Sequence, residues 1–199
     1  EIGIEMKKIM TIIAVLIASC NPANLEVEDK RSGFIEEEPS PITWTECGYE
    51  PGDNPCNFEL IDQDGNIVSL YDLFGKPIII DFSTMWCYYC QVAASEIDQV
   101  ATAYEDRDLV YMTILAQDFQ GQPADQADLE EWSLHFGIGN MNTPVLAGDM
   151  NMVDPLGESG WRVEAWPTFY FIDREMVIAE YMRGWNSTSV NALIDQISQ

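Results

Sequence analysis

Histidine occurs once in the 199 residues, at His135, and nine lysines and arginines stand against 34 aspartates and glutamates, giving a net charge of −25. So acidic a chain disfavours nucleic acid and anionic membrane surfaces as partners, and favours solubility and cationic partners. The lack of histidine also removes the usual donors of a metal centre. Cys87 and Cys90 have the spacing of half a zinc site, but the remaining thiols form no second C-x-x-C. Without clustered histidines, Met141, Met150 and Met152 read as packing rather than a copper set. An EF-hand reading of Asp62, Asp64 and Asn66 fails, because Ile67 stands where that loop needs glycine and no glutamate closes it. Neither a metal nor a cofactor is called for. Internal repeats are absent, and the apolar run Ile9 to Ile17 falls short of the roughly 20 residues that span a bilayer.

What the chain does have is concentrated between Ile78 and Tyr104. The run Ile78, Ile79, Ile80, Asp81, Phe82 is short, β-branched and bounded by Gly75 and Pro77, which predicts a buried parallel strand. After a Ser-Thr turn the period changes: Ala93, Ile97, Val100, Ala101 and Tyr104 fall on one face of a single helix. Trp86, Cys87, Tyr88, Tyr89 and Cys90 therefore sit where a strand ends and a helix begins. The first turn of a helix favours negative charge on sulfur, and C-x-x-C cysteines there titrate at about 3.5 to 7.5, which marks Cys87 as the nucleophile. The spacing holds the two Cα atoms roughly 5 to 6 Å apart, within reach of a disulfide that opens and closes with little backbone movement.

This stretch resembles the active site of the thioredoxin superfamily, and the wider chain, from about Cys56 onward, resembles its extracytoplasmic TlpA/ResA-type branch. The residues that carry the resemblance are Trp86 before Cys87, the C-x-x-C itself, Asp81 upstream in the strand, and Trp166-Pro167-Thr168 ahead of the apolar run Phe169 to Ile172. The resemblance implies an α/β fold with a central mixed sheet flanked by helices. It implies a buried Asp81 that relays a proton to Cys90, and a cis-proline at Pro167 that faces the disulfide. Trp86, Tyr88, Tyr89, Trp166 and Pro167 would line the substrate groove. Two departures stand out. Tyr88-Tyr89 replaces the Gly-Pro of familiar thioredoxins, and Ala93 stands where many ResA-like proteins carry glutamate, leaving Asp81 the better proton carrier and Glu96 a weaker one.

Upstream, Met6 is a plausible start, with Glu1 to Glu5 an upstream extension. Lys7, Lys8, the apolar run and Ala18-Ser19-Cys20 then form a signal peptide over residues 1–19. Ile17-Ala18-Ser19-Cys20 resembles a bacterial lipobox, with Cys20 lipidated. Residues 20–45 are acidic and proline-bearing, a flexible tether, and residues 46–199 form the domain. In an exported protein Cys47 and Cys56 are expected to pair as a structural disulfide; a second redox pair feeding Cys87 is the alternative.

Phe58 to Ile61 and Ile67 to Leu70 predict an N-terminal β-hairpin around Asp64-Gly65, followed by a short helix capped by Ser69. Leu109 to Ala116 predicts a strand, and Asp125 to Phe136 an inserted helix with Leu129, Trp132 and Phe136 on one face. On that helix His135 reads as structural. Val145 to Ala147 predicts a short strand and Met150 to Leu156 a helical turn. Phe169 to Ile172 and Val177 to Met182 form a closing hairpin, and the last helix buries Val190, Leu193, Ile194 and Ile197 under a cap at Ser187 or Ser189.

The resulting expectation is a lipid-anchored, extracytoplasmic thiol-disulfide oxidoreductase. It would exchange disulfides with exported proteins, more as reductant than oxidant, and draw on a membrane electron donor. Two other classes compete: a thiol peroxidase, suggested by Thr84 three residues before Cys87 but lacking the upstream proline, and a binding module with an inert disulfide.

Overall fold

The structure is a computed structural model and describes residues 41–199; the leader over 1–19, Cys20 and most of the tether lie outside the described residues. A hairpin comes first, β1 (Glu59–Ile61) antiparallel to β2 (Ile67–Ser69). Asp62 builds its turn. One carboxylate oxygen accepts from the backbone N–H groups of Asp64 and Asn66, and Gly65 takes a φ of +81°, a conformation that favours glycine. The buried Gln63 latches this hairpin onto the rest of the domain: its amide donates to Gly139 O at 2.8 Å and accepts from Val145 N–H at 3.0 Å.

The central sheet has five strands in the order β5-β4-β3-β6-β7. These are β3 (Ile78–Thr84), β4 (Val110–Gln117), β5 (Val145–Ala147), β6 (Thr168–Ile172) and β7 (Ile178–Arg183). The β3-β4 and β4-β5 pairs are parallel, whereas β6 runs antiparallel to both β3 and β7. β3 is the middle strand and every one of its residues is buried, which is why it reads as an almost unbroken apolar run rather than an alternation. One sheet face packs against α1 (Tyr88–Ala94), α2 (Ile97–Ala103) and α4 (Ser187–Ile197), with α3 (Gln126–Phe136) beside β5. The other is covered by the turn 70–73, the 44–49 segment and Trp161 and Val163 from the long β5-β6 loop.

Four expectations are corrected. The single helix after Cys87 is two helices, broken at Ser95 and Glu96; the Ser95 hydroxyl donates to Val92 O at 2.7 Å, competing with the helical ladder. Ser69 does not cap the turn after β2, because Asn57 accepts both the Tyr71 N–H and the Ser69 hydroxyl. The last helix is capped by Asn186, which accepts from Ser189 N–H. Met141 and Met150 are exposed, at 87% and 47%, rather than packed; Met141 lies within a turn in which the Asn140 side chain accepts from the Asn142 and Thr143 N–H groups. The inserted helix keeps its expected span and has a reciprocal cap, Asp125 accepting from Asp128 N–H while Asp128 accepts from Asp125 N–H.

Candidate active site

Strand β3 delivers Asp81 to the sheet face under α1, and α1 delivers the thiols to its other end. Cys87 is the N-cap of α1 and is 7% exposed; Cys90, inside the first turn, is fully buried. Both are free thiols. The Cys87 Sγ donates to the Trp166 carbonyl at 3.6 Å, and the Trp166-Pro167 bond that follows is cis. Two segments 79 residues apart in sequence thus meet at one sulfur. Trp86, Tyr88 and Tyr89 surround it on the surface, with exposures of 46%, 69% and 67%; the two tyrosine rings meet edge to face at 5.5 Å. Pro167 is buried and Trp166 half-buried.

Beneath the thiols, Asp81 is fully buried and accepts a 2.7 Å hydrogen bond from the Ser83 hydroxyl, while its other carboxylate oxygen has no partner. Burial raises its pKa to about 7, against a smaller lowering by Ser83. Burial also pushes the Cys90 thiol far up, and the adjacent Asp81 charge pushes it further. A neutral Asp81 beside a neutral Cys90 is therefore the resting arrangement at modest pH. Once ionised, Asp81 is a base placed to take the Cys90 proton.

Two neighbours escaped the sequence reading. Thr113 pairs directly with Asp81 across β3 and β4, and Tyr111 pairs with Ile79 two residues away on the same face. Both hydroxyls are buried without a hydrogen-bond partner. Burial raises the Tyr111 pKa well above its usual value, with Asp81 and Cys90 adding to the shift. The signal was available: strand alternation sets Tyr111, Thr113 and Leu115 on one face of β4. Gln117, at the end of β4, was also missed; its side chain accepts from Trp86 Nε1 at 3.1 Å and donates to Gly121 O.

Of the other candidate residues, Glu96 and the Cys47-Cys56 pair lie apart from the thiols, whereas His135 lines the same cavity as Met85 and Gln91, which flank the C-x-x-C. Glu96 is at the break between α1 and α2, in a groove with Trp185. His135 is exposed and edge-on to Phe136. Cys47 and Cys56 are joined by a disulfide in the segment before β1, with Cα atoms 4.8 Å apart.

Comparison with known proteins adds context to this geometry. A family model described as the AhpC/TSA family matches residues 51–181. An uncharacterized protein of Haemophilus influenzae is 29% identical over 133 residues, covering 66% of this chain and 79% of that protein. The crystal structure of the exposed lipoprotein thioredoxin Etrx1 from Streptococcus pneumoniae superposes with a TM-score of 0.55 at 27% identity, covering 71% of this chain and 99% of that one. A thiol:disulfide interchange protein of the thioredoxin family from Chlorobium tepidum superposes with a TM-score of 0.59 at 17% identity, covering 79% and 100%. The fold is thioredoxin-like.

Proposed function

The chain belongs to the AhpC/TSA family, and on that premise we propose that it is a thiol-disulfide oxidoreductase that exchanges disulfides with exported proteins. The observation that carries the reading is the division of labour between the two sulfurs: Cys87 is the residue of the pair that keeps some exposure, 7%, beside the Trp166-Pro167 segment and the exposed Trp86, Tyr88 and Tyr89, while Cys90 is fully buried next to a carboxyl group. The Cys87 thiolate attacks a substrate disulfide, forming a mixed disulfide and releasing one substrate thiolate. Asp81 takes the Cys90 proton, and the Cys90 sulfur attacks Cys87 Sγ. The Cys87-Cys90 disulfide forms, and the second substrate thiol leaves with a proton. Two electrons pass to the substrate, and an external dithiol must restore them.

The resemblance to the TlpA/ResA branch supports reduction as the working direction, a membrane electron donor, and a location outside the cytoplasm with Cys20 lipidated. The presence of a lipoprotein thioredoxin among the similar structures agrees with that location. Replacing Cys90 with serine tests the mechanism: covalent adducts with substrate proteins should accumulate on Cys87, and normal multiple turnover by the variant would sink it.

A thiol peroxidase is the second reading, supported by Thr84, whose buried hydroxyl lacks a partner three residues before Cys87. Hydrogen peroxide consumption at a rate rivalling disulfide exchange would select it.

A further inference from the structure

A cavity of about 230 Å³ opens between the α1 loop and α3, beside the redox pair. Its wall at Met85 lies two residues before Cys87, and Gln91 follows Cys90 directly; the Gln91 amide donates to Met85 O at 2.8 Å and ties the two together. A side chain in this cavity would therefore belong to a residue near the cysteine that reacts. Four rings line it, one of them the exposed His135 imidazole set edge-on to Phe136. Trp132 and Phe136 are tilted against each other with centroids 4.6 Å apart, and Phe119 faces them from the β4-α3 loop, half exposed. Glu131 adds a carboxylate at the exposed edge. Aromatic faces with a nearby carboxylate are the chemistry that holds an organic cation, through the ring quadrupole and an ion pair together.

Among the described residues, the arginines and the lysine lie away from this cavity. Arg107 pairs with Asp195, Arg162 with Glu50, and Arg183 with Glu164. Arg174 donates to the carbonyls of Gly75 and Arg107, and Lys76 lines a separate hollow beside the hairpin. A net charge of −25 meanwhile draws in cationic partners.

We infer that this cavity is a substrate subsite for the cationic side chain, arginine or lysine, of a residue near the reacting cysteine of the partner protein. The inference deepens the proposed function and rests on it. Substrates are then basic polypeptides, and the inserted helix α3 is the element that selects them.

The test uses the full chain carrying Cys20→Ser in all samples, so that Cys87 and Cys90 are its free thiols. Reduced protein is mixed at pH 8 with a neutral small disulfide, 2-hydroxyethyl disulfide. It is also mixed with peptides that share one intramolecular disulfide and differ at a single nearby position: arginine, norleucine, phenylalanine or glutamate. The arginine peptide should exceed the norleucine peptide roughly tenfold in kcat/KM, and 0.5 M salt should shrink that ratio. Glu131→Gln and Phe119→Ser should each cut the preference severalfold while leaving the 2-hydroxyethyl disulfide rate unchanged. Equal rates for all peptides, a preference for phenylalanine, or a preference untouched by either substitution would overturn the subsite while the redox reading stands. No exchange with 2-hydroxyethyl disulfide would overturn the redox reading itself.

Discussion

The two faces of the central sheet bury polar atoms on different terms. Under α1, the Asp81 carboxyl, the Tyr111 hydroxyl and the Thr113 hydroxyl lie within a cluster of fully buried residues, and each keeps an atom without a partner. On the opposite face Phe82, Trp161 and Tyr170 pack ring on ring, with centroids 4.7 to 6.0 Å apart. There the Tyr170 hydroxyl is satisfied twice, accepting from Arg162 N–H and donating to Arg162 O. The Tyr71 hydroxyl likewise accepts from Trp44 and donates to Pro55. An unsatisfied buried polar group costs roughly 1 to 3 kcal/mol. The redox face bears that cost at three side chains within its interior, whereas on the aromatic face both tyrosine hydroxyls are satisfied and the unpartnered atom is the Arg162 Nε of its cover, so the buried polar groups concentrate on the side of the strand where the thiols lie.

The sharpest test of that division is Phe82→Ala. Phe82 and Asp81 are neighbours in β3 but point to opposite faces, and a buried phenylalanine truncated to alanine costs about 3 to 5 kcal/mol. Urea unfolding should show that loss, while disulfide exchange measured where the variant stays folded should remain within about twofold of the parent. A large fall in exchange rate would mean the faces are mechanically coupled.

Asp81→Asn should act in the opposite sense. In the reduced protein the buried carboxyl holds its proton up to about pH 7, whereas in the unfolded chain it loses it near pH 4. Between those values the native state binds the extra proton, so wild-type stability falls as pH rises and levels off above about pH 7. Asparagine cannot ionise and lacks this slope. The variant should therefore gain on the parent by up to about 4 kcal/mol between pH 4 and pH 8, read by urea unfolding at both. Its mixed disulfide with substrate should resolve about a hundredfold more slowly, as loss of a positioned base implies. Parallel stability curves for the two proteins would remove Asp81 from its assigned state.

The cover of the aromatic face supplies a third, smaller effect. Tyr49 packs on Trp161 at 5.4 Å from within the loop closed by Cys47 and Cys56. Replacing both cysteines with alanine frees a loop of about ten residues, a cost of roughly 2 to 3 kcal/mol by chain entropy. Exchange through Cys87 and Cys90 should persist; its loss would revive the reading of Cys47 and Cys56 as a relay.

These expectations rest on features that were unequally legible in the sequence. Strand β3, the flanking hairpins and the inserted helix were readable because each carries a strong local period and a turn or cap beside it. The break at Ser95 was not, because the apolar spacing from Ala93 to Tyr104 continues across it and only a serine hydroxyl marks it. Asn57 caps a turn from more than ten residues away, a partnership that no local rule finds. Trp161 lies in a loop without periodicity, yet it anchors one whole face. The pairing of Thr113 with Asp81 depends on the register of two parallel strands, which alternation constrains but does not choose. Around Cys87, the motif pointed to the sulfurs and to Pro167, while the cavity against α3 emerged only when a distant helix was placed beside them.

The smallest effect discriminates most finely. Tyr111→Phe removes one hydroxyl from the redox face and leaves the ring in place. Since that hydroxyl has no hydrogen-bond partner, its removal relieves a desolvation cost rather than breaking a bond, and stability should rise by up to about 1 kcal/mol. The pH slope set by Asp81 should survive, because the carboxyl owes its raised pKa first to burial. A loss of more than about 1 kcal/mol, together with a shifted slope, would instead mean that the hydroxyl bonds a buried water shared with Asp81. In that event the polar atoms of the two faces would be equally well satisfied, and the contrast between them would lie in what bonds them, solvent beneath the thiols and backbone beneath the aromatic cluster.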